Sequence, residues 1–182
     1  GYPKRIEGFD ISNTQGVLSV ASMVVFIDGE PAYREYRHYR IKTVEGANDF
    51  ASMNEVLGRR FARTLREDPA ERWVMPDLVL IDGGPEQLRF AREAMLSMGI
   101  NVPMFGLAKR LEEIYLPNQE EPVVLDHHTP ALHLIQRIRD EAHRFAITYH
   151  RSLRGKASVH SSLEDIPGVG PARRRALLAH FG

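Results

Sequence analysis

The chain has 182 residues, 24 basic and 24 acidic side chains, a hydrophobic fraction of 43% and no cysteine. This is the make-up of a globular chain with room for one domain and an appendage. It excludes disulfides and thiolate metal sites, and no apolar run approaches the roughly 20 residues of a membrane-spanning helix. The missing cysteine suits a reducing cytoplasm, and residues 1–20 carry no signal-peptide layout. The zero net charge hides an asymmetry: from Arg137 to Gly182, nine Lys/Arg stand against four Asp/Glu. A basic end of this kind directs attention to an anionic partner.

In chain order, residues 5–12 (RIEGFDIS) and 18–27 (LSVASMVVFI) read as strands, and Asp28-Gly29 is a turn signal leading to a third strand over 33–43. That third strand repeats Arg34, Tyr36, His38, Arg40 and Lys42 at period two, which predicts a mostly basic face near a sheet edge. Past Asn48, a suitable N-cap, Phe50, Met53, Leu57, Phe61 and Thr64 or Leu65 recur at helical spacing. Leu78-Val79-Leu80-Ile81 reads as a strand buried on both faces, and Pro85 suits the first turn of the next helix. A short strand follows at 103–109, then a hairpin over 113–125. From Pro130 a long helix carries Leu132, Ile135, Ile138, Ala142, Phe145 and Tyr149 on one face. The polar stretch RGKASVHSS (154–162) reads as a linker between a domain over 1–153 and a small helical unit over 163–182. Antiparallel strands followed by alternating helix and strand predict an α/β fold with a mixed sheet, whose strand ends open into the crevice where ligands bind.

Asp82 stands at such an end. An acid before a helix also complements its dipole, and Asp-Gly is a common turn pair. Asp10 is more telling, because aspartate is disfavoured inside a strand, and alternation puts Ile6, Gly8 and Asp10 on one face. Two strand carboxylates that face each other repel unless a cation lies between them, and Mg2+ or Mn2+ prefers such oxygen ligands. In RDEAHRFAITYHR, helical spacing aligns Arg139, His143 and Ile147 on one face, with Asp140 and Arg144 along the next. A neutral His143 there can ligate a metal or accept a proton from water. In DIPGVGPARRRALLAHF, Gly168-Val169-Gly170 forms a tight hairpin whose backbone N–H groups can meet phosphate at a helix start, backed by Arg173, Arg174 and Arg175.

The stretches FDISNTQG, VASMVVFIDGEP, NDFASM, LVLIDGGPEQL, GLAKR, ALHLIQRIRDEAHRFAITYHR and DIPGVGPARRRALLAHFG keep their order and cover nearly the whole chain. On them the chain resembles the C-terminal half of the UvrC family, the C subunit of the bacterial excinuclease ABC. The resemblance implies an RNase H-like mixed five-stranded sheet flanked by helices, then the first helix-hairpin-helix motif. It implies an Mg2+- or Mn2+-dependent endonuclease that cuts damaged double-stranded DNA on the 5′ side of the lesion, with UvrB and a UvrA-loaded complex as partners of the full-length protein. Asp10 and Asp82 match the family's catalytic aspartates and His143 the third member of its site. Asp49 matches a further acidic position implicated in activity, and Lys109 a basic position that can meet phosphate. Two departures stand out: Asn13 replaces a histidine common among relatives, and one hairpin motif stands where two are usual. Two rival readings are a non-catalytic DNA-binding module and a metal-dependent hydrolase of small phosphate esters.

Overall fold

The computed structural model describes residues 1–14, 18–42, 48–66, 73–108, 110, 113–164 and 170–181, without the side chains of 12–14, 18–19, 153–164, 171, 174, 178 and 181. These residues form two compact units, Gly1–Ala146 and Ile147–Gly182.

The first unit is built on a mixed sheet. Strands β1 (Arg5–Thr14) and β2 (Leu18–Ile27) pair antiparallel along their whole length. Asp28 and Gly29 then take positive φ of 51° and 80°, a hairpin turn in which the glycine carries no Cβ penalty. The expected third strand is broken. It appears as β3 (Glu30–Pro31), a 3-10 turn over Tyr33–Glu35, and β4 (Arg37–Arg40), both strands lying on the outer edge of β2. Pro31 has no N–H to continue a ladder, and the turn brings the Glu35 carboxylate to the Arg5 guanidinium at 2.6 Å.

On the other side of β1 lie β5 (Leu78–Asp82) and β6 (Met104–Leu107), both parallel, and then β7 (Glu113–Tyr115) and β8 (Val123–Val124) as an antiparallel extension. Among the described residues the sheet therefore has eight strands instead of five, because the third strand splits in two and the hairpin pairs with the edge of β6. Leu78 to Ile81 are all buried, as a central parallel strand requires.

Helices cover both faces. Asn48 caps α1 (Asp49–Leu65) by accepting from the Ala51 N–H at 3.0 Å, and Pro85 opens α2 (Pro85–Ser97). The buried face of α1 comprises Ser52, Met53, Val56, Leu57, Arg60 and Phe61; Met53, Leu57 and Phe61 lie on it as the periodicity predicts, Thr64 is half-buried, and Phe50 and Leu65 are exposed at its margins. The shifted margin follows from Arg60, whose guanidinium is buried against Glu7 of β1 at 2.6 and 2.8 Å. The first part of α3 (Pro130–Glu164), up to Ala146, lies on the opposite face: a Cβ at Gly8 would stand 2.9 Å from Ile138 Cγ2, and Gly8 and Glu7 point to opposite sides of β1. Tyr36 and His38 of the supposed basic face turn towards α3, where Phe145 meets Tyr36 edge-on at 5.2 Å and stacks on His38 at 3.7 Å.

In the second unit, α3 continues as helix through residues 154–162, where composition suggests a linker. Extending a helix that is already nucleated fixes one residue per added hydrogen bond, so a polar stretch can propagate it. Helix α4 (Pro171–Phe181) opens on a proline and exposes Arg173 and Arg175. The hairpin residues Gly168 and Val169 lie outside the described residues.

Candidate functional site

Asp10 sits well inside β1, whereas Asp82 is the last residue of β5, and the parallel register makes them direct neighbours. Neighbouring residues of paired strands point to the same face, which here is the face covered by α3. Gly8, lacking a side chain, lets α3 approach closely, and about 1.4 turns beyond Ile138 the helix presents His143 over both acids. Its Nδ1 lies 3.1 Å from Asp10 Oδ2 and its Nε2 lies 3.2 Å from Asp82 Oδ2. The two carboxylates are largely shielded, with side-chain exposures of 12% and 14%, while the imidazole is half exposed. The site thus opens to solvent on the histidine side.

The electrostatics of this trio are unbalanced. Burial, helped by the charge of Asp82, pushes the Asp10 carboxyl up to about 6, against the opposing effects of His143 and Arg139. A neutral imidazole carries one ring N–H, so between two ionised carboxylates it leaves one nitrogen lone pair facing an oxygen. The arrangement calls for an extra positive charge: a proton on one of the three groups or a cation among them. Their donor atoms lie within 4.8 Å of one another, and among the described residues this is the cluster of histidine and acidic side chains able to hold a metal ion. Two carboxylates and an imidazole form a donor set that suits a small divalent cation.

The other expected residues distribute differently. Asp49 stands in the first turn of α1, outside this trio, and accepts from Gln87 Nε2 at 2.9 Å. Arg139 acts on the Asp10 carboxyl through its charge. Arg144 points its guanidinium at Glu141, at 2.8 and 3.0 Å, and Tyr36 donates its hydroxyl to the same carboxylate at 2.8 Å. Hydrogen bonding from Arg144 holds the Glu141 carboxyl below its usual range, so the pair stays ionised. Lys109, like Gly168 and Val169, lies outside the described residues, and so does the Arg174 side chain. Gly170, immediately before α4, is exposed. No pattern along the chain marks Gln87 or Glu141, whose partners Asp49 and Tyr36 lie 38 and 105 positions away.

The UvrC RNase H endonuclease domain model matches residues 1–147. The chain belongs to the UvrC RNase H endonuclease domain family. Among curated UvrC relatives, the UvrABC system protein C of Dehalococcoides mccartyi is 53% identical over 182 residues, with 99% of this chain and 30% of that protein covered. The protein of the same description from Gloeobacter violaceus is 56% identical over 185 residues, covering 98% of this chain and 29% of that one. The chain thus spans about 30% of the length of the UvrC relatives it matches. A crystal structure of human ENDOV shares the fold with a TM-score of 0.50, at 15% identity over 85% of this chain and 86% of that one. Membership in the UvrC family accords with the mixed α/β sheet, and among the described residues no helix is long and apolar enough to cross a membrane.

Proposed function

We propose that this chain carries the active site of a divalent-metal-dependent endodeoxyribonuclease that makes the 5′ incision in bacterial nucleotide excision repair, in the cytoplasm. The observation that carries the reading is the pairing of Asp10 with Asp82 across adjacent parallel strands, with one imidazole spanning both. Membership in an endonuclease domain family supports it from a second side.

In this reading Asp10 and Asp82 hold Mg2+ or Mn2+, and His143 is either a third ligand or the base that takes a proton from water. The bound ion supplies neutralisation of the phosphate and a lowered water pKa. The shielded carboxylates fix their oxygens on the sheet, where packing leaves little freedom to reorient. His143, half exposed, stands on the side from which a DNA strand arrives. Arg139 lies close enough to act on Asp10, and so adds positive charge beside an incoming phosphate. Arg144 can meet DNA only by sharing or leaving Glu141. Lys109, the Gly168–Gly170 hairpin, Arg173 and Arg174 serve as backbone contacts that position the duplex without reading its sequence. UvrB, and a UvrA-loaded complex, would be engaged through the full-length protein.

The test is incision of a lesion-bearing duplex by the full-length UvrABC system with Mn2+ supplied. Replacing Asp10 or Asp82 by alanine should abolish the 5′ cut while DNA retention persists, and binding should weaken steeply with salt. Normal cutting by either variant overturns the assignment and leaves the non-catalytic DNA-binding reading.

A further inference from the structure

Between Asp82 and the start of α2 the chain has only Gly83 and Gly84. Gln87, in the first turn of α2, folds back over this link: a Cβ added at Gly83 would lie 2.7 Å from both Cβ and Cγ of Gln87. Such a distance admits no side chain, so the glycine is required here by contact. On its other side, the Gly83 carbonyl oxygen lies 3.1 Å from the place a Cβ would take at Gly106 of β6. The link that carries Asp82 is therefore held between the stem of Gln87 and the backbone of β6. The far end of Gln87 is fixed as well, because its Nε2 donates to the Asp49 carboxylate at 2.9 Å. A hydrogen bond to an ionised acceptor is short and directional, and it confines an otherwise mobile glutamine. Asp49 in turn belongs to the first turn of α1, which Asn48 caps.

We propose that Gln87 is a positioning residue for Asp82, acting through Gly83, and that Asp49 is the anchor that holds Gln87 in place. The inference rests on the reading of Asp82 as a metal-holding group. It gives Asp49 a defined part although it stands outside the metal-holding trio. Groups that orient metal ligands are commonly worth roughly 10–100-fold in metal affinity.

Two measurements on the whole chain test it: backbone order parameters at Gly83 and Gly84 without metal, and Mn2+ affinity by calorimetry. Gln87→Ala and Asp49→Ala should each lower the order parameters from about 0.85 towards about 0.6. Each should weaken Mn2+ binding about tenfold, and the double variant should be no worse than either single one. Asp49→Asn keeps an acceptor oxygen for Gln87 and should stay close to the unaltered chain on both measures. Unchanged order parameters in Gln87→Ala overturn the proposal, and so does an Asp49→Asn variant as impaired as Asp49→Ala. Loss of Mn2+ affinity without loosening of the glycines rejects the positioning role while sparing the metal site. Loosened glycines in a chain that takes up no Mn2+ reject the metal site and with it any role for Gln87 in metal holding, while showing that the clamp exists.

Discussion

Glu7 and Asp10 stand three positions apart on β1, face opposite sides of the sheet, and are both buried. Glu7 is surrounded by opposite charge: Arg60 meets it at 2.6 and 2.8 Å and Arg5 at 2.9 Å, while Arg60 also reaches Thr64 Oγ1 and the Val74 carbonyl. Asp10 has another carboxylate as its strand neighbour and a single imidazole shared with it. One buried acid is saturated and closed off, and the other is short of positive charge beneath an imidazole that is half exposed. Pairing of the first kind serves folding. A deficit of the second kind costs stability and is retained where a ligand completes it.

The widest gap between the two acids should appear in stability. Glu7→Ala strands the Arg60 guanidinium, which is fully buried, and should destabilise the chain by roughly 3–5 kcal/mol in chemical denaturation. Asp10→Asn removes a repelled charge and should leave stability at neutral pH unchanged or higher. Equal losses in the two variants would erase the distinction. Next in size is the response to metal. Mn2+ at about a hundred times its dissociation constant should stabilise the unaltered chain by about 2.7 kcal/mol, read as a shift of the denaturation midpoint, and should give no gain in Asp10→Asn.

A pH series sharpens the contrast further. The folded Asp10 carboxyl titrates at about 6, above the roughly 3.9 of an unfolded chain, so the folded state holds more protons between those values. Its contribution to stability therefore improves as pH falls from about 6 towards about 4, and above 6 it is a standing penalty. The stability difference between the unaltered chain and Asp10→Asn should follow that course in metal-free buffer. Protons compete with metal for the same oxygens, so Mn2+ affinity should fall by up to about tenfold per pH unit below 6. The smallest effect is expected at Arg144→Ala. Its partly exposed pair with Glu141 should be worth less than about 1 kcal/mol in a thermal melt.

The sequence makes some of this architecture readable and hides the rest for a physical reason. Leu78 to Ile81 announce a strand buried on both faces, and Asn48 and Pro85 mark helix starts, because these signals are local. The centre of the α1 face, Met53, Leu57 and Phe61, is legible, but its margin is not, because Arg60 belongs inside only in the presence of Glu7, 53 positions away. The alternating Tyr36 and His38 look solvated until Phe145 covers them from the far end of the unit. Asp10 betrays itself as an acid in a strand, yet its nearness to Asp82 depends on a parallel register that no local pattern encodes. His143 stands out by its helical spacing beside Arg139, but only the fold brings it to both acids. Nothing in the pattern of α2 singles out Gln87.

The bare α-carbon of Gly8 has a mechanical consequence. With Ile138 Cγ2 2.9 Å and Val24 Cγ2 3.2 Å from the spot a methyl would fill, the clearance between sheet and overlying helix is set by a missing carbon. Gly8→Ala would act as a shim, and the rigid rod of α3 would carry that lift on to the ring of His143. The height of the imidazole above its two acids is thus gauged two residues upstream of Asp10, at a position with no chemistry of its own.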